Sequence, residues 1–139
     1  MIFFDSSAIL PAFFSGHVHY QPTLRTYNGA THPRCCCCHS LAEIYNTATR
    51  PSAGIGASPG QAGEILSKVR RDFQLITLEP EDYQTATEGL IRQALRGPII
   101  YDALLLQCAR KVNAETIYTW NVRHFQRLAP DLAGRIRTP

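Results

Sequence analysis

Asp5, Glu43, Asp102 and Asn121 are the residues whose types and positions could do chemistry together. Asp5 directly follows the apolar run Met1–Phe4. Glu43 is expected in the first turn of a helix that follows Cys35–Cys38. Asp102 is expected in the first turn of a helix that follows Gly97 and Pro98. Asn121 closes the apolar run Thr116–Trp120. Each acid alone has a plainer use. A carboxylate in a first helical turn meets the positive end of the helix dipole, worth about 0.3–1 kcal/mol, and Asp5 is a good N-cap residue. Their joint placement says more. In an open parallel sheet, ligands bind outside the carboxyl ends of the strands where strand order reverses, so residues at such junctions can meet at one end of one sheet. Gathered carboxylates repel one another without a cation, and all-oxygen donors suit a hard divalent ion, Mg²⁺ or Mn²⁺.

A second candidate, Cys35–Cys38 followed by His39, suggests a zinc or redox site. Zinc ligands are usually spaced by two to four residues so that thiolates converge. Four consecutive residues in a strand alternate faces instead. Cys35 and Cys37 would point one way and Cys36 and Cys38 the other, each packing as a small hydrophobe. The scaffold reading is preferred on this geometry. Five cysteines with four adjacent do not make a disulfide framework, and a reduced, cytosolic chain is the simpler expectation.

These residues need elements to position them. Met1–Phe4 reads as a buried strand, and Ser6–Phe14 as a helix with Ile9, Leu10, Phe13 and Phe14 inward. A helix is expected near Pro22–Tyr27 and a strand at Cys35–Cys38. The next helix runs from His39 or Ser40 to Arg50, with Leu41, Ile44, Tyr45 and Ala48 on its buried face. Pro51–Gly63 is rich in Gly, Pro and Ser and reads as a loop and candidate flap. A helix from about Pro59 to Arg71, a strand at Phe73–Leu78 and a helix at Glu79–Arg96 follow. Then come a helix at Ile99–Val112, a strand at Thr116–Trp120 and a last helix opened by Asn121. Strands alternating with helices predict an α/β fold with a mainly parallel sheet. His17 and His19 fall in a polar stretch and are expected to be exposed. Trp120 is read as packing, with a base-stacking surface as its alternative.

The totals are consistent with this. A chain of 139 residues, 45% apolar and 18% charged, suits one globular domain over residues 1–139. The net charge of +3 permits an anionic partner without demanding one. No apolar run approaches a membrane span, and MIFFDSSAIL lacks the basic start of a signal peptide.

Four segments, in order, resemble the motifs of PIN domains, and the size and motif style are most similar to VapC-type toxins of toxin–antitoxin pairs. FFDSSAIL is similar to the opening strand–Asp–Thr/Ser–Ser motif. HSLAEIYNTATR is similar to the helix that carries the essential glutamate. IIYDALLLQCA is similar to the motif in which an aspartate precedes Ala-Leu. TIYTWNVRHF is similar to the closing strand and Thr-x-Asp/Asn-x-x-x-Phe. Together they span Ile2 to Phe125. The resemblance implies a three-layer α/β/α sandwich and a Mg²⁺- or Mn²⁺-dependent endoribonuclease, usually a homodimer, held inactive by a cognate antitoxin.

Carried over residue by residue, the resemblance gives Asp5, Glu43 and Asp102 as metal-binding carboxylates. Asn121 stands in the place of the family's fourth acid, acting through a metal-bound water. That substitution removes one charge and leaves one ion or two open. Ser7 and Thr119 fall at hydroxyl positions that hold the acids, and His124 takes no ligand role. Arg50, Arg96, Arg110 and Arg123 are candidates to position the RNA backbone, with single-stranded or loop RNA the expected substrate. Two other readings remain: a catalytically weak PIN-like binding or regulatory module, favoured by Asn121, and a flavodoxin-like phosphotransfer enzyme. The latter would need a glycine loop where this chain has DSSAIL.

Overall fold

The computed structural model describes all residues, Met1–Pro139. Five short strands form one parallel sheet: β1 (Ile2–Phe4), β2 (Arg34–Cys37), β3 (Gln74–Ile76), β4 (Thr116–Tyr118) and β5 (Ile136–Arg137). Their spatial order is β3-β2-β1-β4-β5. β1 pairs with β2 on one side, Phe3 opposite Cys35, and with β4 on the other, Phe3 opposite Ile117. Strand order therefore reverses at β1, which makes its carboxyl end the crevice of the sheet.

Side-chain alternation along β1 and β2 assigns the two faces. Phe3, Cys35 and Cys37 point into one core with Leu105, Cys108, Ile117 and Phe125. Phe4 and Cys36 point into the other with Ile9, Ile44, Ala48, Ile65 and Val69. The first core is covered by α5 (Ile99–Lys111) and α6 (Val122–Leu128), with α4 (Pro80–Arg92) packed on α5. The second is covered by α1 (Tyr20–Gly29), α2 (His39–Thr49) and α3 (Pro59–Asp72). The result is the expected α/β/α sandwich. No helix is long and apolar enough to cross a membrane.

The cysteine run divides between the cores as its alternation predicts, for the three thiols that lie in the strand. All five cysteines are free. The sulfurs also find weak polar partners: Cys35 Sγ donates to the Ile2 carbonyl at 3.4 Å, Cys37 Sγ accepts from the His39 N–H at 3.4 Å, and Cys108 Sγ lies 3.8 Å from the Ile76 carbonyl. Cys38 is past the strand, in helical backbone at the start of α2.

Several expectations change. Ser6–Phe14 is not an α-helix but two 3₁₀ turns, Ser6–Ala8 and Leu10–Phe13. Its hydrogen bonds run from Ala8 to Asp5, Ile9 to Ser6, Ala12 to Ile9 and Phe14 to Pro11, all three residues back. Pro11 has no N–H to give Ser7, which removes the bond an α-helix would need there. Glu43 lies in the second turn of α2, not the first, because the helix begins at His39. Tyr45 is 44% exposed, and the buried face of α2 is Ser40, Ile44 and Ala48. The loop after α2 ends at Ser58, which caps α3 reciprocally with Gln61. Within that loop Ala57 is buried and its N–H bonds the Ala48 carbonyl at 3.0 Å. β5 went unread because two residues carry no period.

Candidate metal centre at the carboxyl end of strand β1

Asp5 leaves β1 at the crevice and is 2% exposed. It does not cap the turn that follows. Hydroxyls surround it instead. Thr119 donates to Oδ2 at 2.8 Å, Ser7 donates to the same oxygen, and Ser6 donates to Oδ1 at 3.2 Å. The two serines are local, set by the 3₁₀ turn. Thr119 arrives from the end of β4, where the parallel pairing of Phe4 with Tyr118 fixes its height. The network continues outward: the Trp120 N–H donates to Ser7 Oγ at 3.0 Å, and the Asn121 N–H donates to Thr119 Oγ1 at 3.0 Å. Burial raises the proton affinity of Asp5, and the three hydroxyls oppose that rise.

Glu43 and Asp102 come in from the two flanking helices. Burial is the main cause that pushes Glu43 up to about 7; the Ser6 hydroxyl opposes it, and the negative charges of Asp5 and Asp102 add to it. Asp102 is raised to about 6 by burial and by the charge of Asp5, with His124 opposing. For both groups burial is the larger cause and the neighbouring negative charge the smaller one. Glu43 Oε2 is buried and has no hydrogen-bond partner.

Two imidazoles stand beside these acids. His124 Nδ1 is 3.5 Å from Asp102 Oδ2, and His39 Nε2 is 4.0 Å from Glu43 Oε1. Sequence reading gave neither an effect on the acids. The spacing of His39 and Glu43, four apart on one helix, was the available signal. The donor set and the orphaned Glu43 oxygen fit a hard cation. No trio of His, Cys, Asp or Glu stands at ligand spacing around one point, so an ion would draw the half-buried Glu43 and Asp102 side chains toward the fixed Asp5.

The remaining candidates scatter. Asn121 is exposed beside a cavity of about 370 Å³ that it shares with Arg123 and His124. Arg50 and Arg96 are exposed, at the end of α2 and in the loop before α5. Arg110 lies eight residues along α5 from Asp102, about 12 Å, and forms a two-pronged ion pair with Asp131. Its charge is already matched. His17 and His19 are half-buried, not exposed. His19 stacks on Trp120 with ring centroids 3.8 Å apart and planes 9° from parallel. Trp120 Nε1 donates to the buried Thr23 Oγ1 at 3.1 Å. Trp120 is thus a packing residue with a covered face.

Solved structures with this architecture include VapC20 of Mycobacterium tuberculosis, a sarcin–ricin-loop-cleaving toxin. It is 19% identical, with a TM-score of 0.73 over 87% of this chain and 90% of that one. A chain of VapBC2 from Rickettsia felis, solved bound to a DNA fragment from its promoter, is also 19% identical. Its TM-score is 0.62 over 91% of this chain and 92% of that one. No curated protein sequence matches the chain. The family model for the PIN domain matches residues 2–129, from the strand that leads into Asp5 to just beyond the helix that carries His124. The chain belongs to the PIN-domain family.

Proposed function

We propose that this chain is a Mg²⁺- or Mn²⁺-dependent endoribonuclease, the toxin of a toxin–antitoxin pair. The observation that carries the reading is the gathering of Asp5, Glu43 and Asp102 at the switch point of the sheet, where burial first and neighbouring charge second raise Glu43 to about 7 and Asp102 to about 6, and one Glu43 oxygen is orphaned. Acids that raise one another's proton affinity in a crevice favour a site for positive charge. Asp5, Glu43 and Asp102 would hold the ion, with Asn121 as a neutral oxygen at the rim. When bound, the ion makes water a better nucleophile and offsets charge at the scissile phosphate.

The protein's own part is positional. Ser7 and Thr119 keep Asp5 in one orientation, so its free lone pairs face the crevice. Glu43 either shares the cation or accepts a proton from the attacking water through its unpartnered oxygen. Asp102, at the start of α5, closes the other side. Arg50, Arg96 and Arg123 are the cations left to meet the RNA backbone. Arg110 is a weaker candidate because Asp131 holds it. The likeness to VapC20 and VapBC2 supports a cognate antitoxin as partner, and the same reading includes a homodimer, single-stranded or loop RNA as substrate and action in the cytoplasm.

Digestion of a mixed single-stranded RNA pool with Mg²⁺, with Mn²⁺ and with EDTA tests the reading. Cleavage by the wild type that EDTA stops, and that Asp5→Asn and Asp102→Asn lack while folded, is the expected result. Equal cleavage by the folded variants would overturn it. A binding or regulatory module without turnover is the second reading, favoured by the amide at Asn121. It predicts ion binding by calorimetry with no cleavage.

A further inference from the structure

On the side of the acids formed by α2 and α5 lies a cavity of about 430 Å³, within the usual size of ligand pockets. Glu43 is part of its lining. His39, the first residue of α2, and Tyr101, in the first turn of α5, contribute an aromatic wall. Their rings are 5° from parallel with centroids 5.2 Å apart, an offset stack that ties the helix of Glu43 to the helix of Asp102. Tyr101 is 47% exposed. Asn46 and Thr47 continue the lining beyond Glu43. His39, Glu43 and Asn46 recur at i, i+4 and i+7, so α2 presents them as one stripe.

The chemistry of this lining is selective. Apart from Ala42 and Tyr101 it is polar, which ill suits an aliphatic side chain. It offers a flat aromatic surface, an amide that both donates and accepts, a hydroxyl and a carboxylate. A nucleobase has the matching parts: a π-face and an edge of donors and acceptors. Trp120, stacked on His19 and hydrogen-bonded through Nε1 to Thr23, lies outside this lining.

We infer that the cavity is a nucleobase subsite, in which one base of the RNA strand lies against the Tyr101–His39 wall and Asn46 hydrogen-bonds its edge. The inference rests on the ribonuclease reading of the adjoining acids. It makes α2 a specificity element as well as the carrier of Glu43: the base beside the scissile phosphate is sorted by the same helix.

Two measurements test it. In the first, single-stranded RNA carrying 5-iodouridine is irradiated with the wild-type chain and the adduct is mapped by peptide mass. Adducts on Tyr101 or His39 support the subsite; adducts confined to other surfaces overturn it. This measurement needs no turnover. In the second, Tyr101→Ala raises KM for a cleaved oligonucleotide about tenfold or more, the scale of one lost base–aromatic stack, with a smaller change in kcat. Tyr101→Phe restores KM, and Asn46→Ala relaxes the base preference next to the cut. An unchanged KM in a folded Tyr101→Ala that still cleaves would remove the subsite and leave the ribonuclease. A wild type that cleaves no RNA would remove the ribonuclease reading, and the cross-link would still judge whether a base binds here.

Discussion

Thr119 donates a hydrogen bond to Asp5 Oδ2 at 2.8 Å, joining the ends of two strands that are neighbours in the sheet and 114 residues apart in the chain. Thr119 Oγ1 also accepts from the Asn121 N–H. One buried hydroxyl thus orients both the Asp5 carboxylate and the backbone of Asn121.

Thr119→Val keeps the shape of the side chain and removes the hydroxyl. Asp5 then loses a partner in a buried setting, and the Asn121 N–H loses one in a part-buried setting. The expected cost is about 1–3 kcal/mol of stability, measured by denaturant unfolding, with a weakening of Mg²⁺ binding by about 10–100-fold in calorimetry. Thr119→Ser keeps most of both. Wild-type ion affinity in Thr119→Val would show that Asp5 does not need this partner.

Asp102→Asn separates the function of the charge from its burden. Without an ion, Asp102 is raised to about 6 by burial and by Asp5, so ionising it opposes folding at neutral pH. The variant should melt at or above the wild-type temperature in EDTA at pH 7.5. It should also lose most of the rise in Tm that Mg²⁺ gives the wild type, since ligand stabilisation follows affinity. A full Mg²⁺ response in the variant would take Asp102 out of the ion's shell.

The same shifts set a pH dependence. Glu43 goes up to about 7 and Asp102 to about 6 in the folded chain, against ordinary carboxylate values near 4 in the unfolded one. The folded state therefore binds more protons between those limits. Its contribution to stability is present at about pH 4 and is lost as pH rises through about 6 and 7. In EDTA, stability from these groups falls from pH 5 to pH 7.5. With Mg²⁺ present the trend opposes this, because protons compete with the ion and affinity grows with pH. Parallel melting curves with and without Mg²⁺ between pH 5 and 8 check the divergence. Curves that stay parallel would mean that the acids and the ion do not share a site.

Cys36 is fully buried among Phe4, Ile44 and Val69, and burial pushes its thiol far above the ordinary range. It cannot act as a thiolate. Cys36→Ser should cost about 1–3 kcal/mol by burying a hydroxyl that lacks a built partner, and metal analysis of the purified protein should find no stoichiometric zinc. One equivalent of zinc, lost to chelator along with stability, would contradict the scaffold role.

Much of the fold was legible because period and punctuation agreed. Strands of two residue faces and helices opened by Pro59, Pro80 and Pro98 left clear boundaries, and the alternation of Cys35, Cys36 and Cys37 between two cores followed from the pleat alone. The acids were legible as junction residues. What stayed hidden depends on contact across the sheet. The hydroxyl cage of Asp5 needs Thr119 at a height fixed by strand register, the closeness of His124 to Asp102 needs α6 to lie on α5, and the pairing of Tyr101 with His39 needs α2 and α5 to meet. The 3₁₀ turn Ser6–Ala8, read from the sequence as part of an α-helix, keeps Ser6 and Ser7 beside the carboxylate.

The bond between Asp5 and Thr119 also sets a time order on synthesis. Asp5 is made 114 residues before Thr119. At about 5–20 residues per second, several seconds separate them. Throughout that interval the first carboxylate has no strand beside it on the β4 side and no hydroxyl from Thr119. Long-range closure of this kind is slow to form and is completed late. An emerging polypeptide of this sequence therefore carries Asp5 without its cross-strand hydroxyl until β4 has been made, and a chain broken off before β4 never gains it.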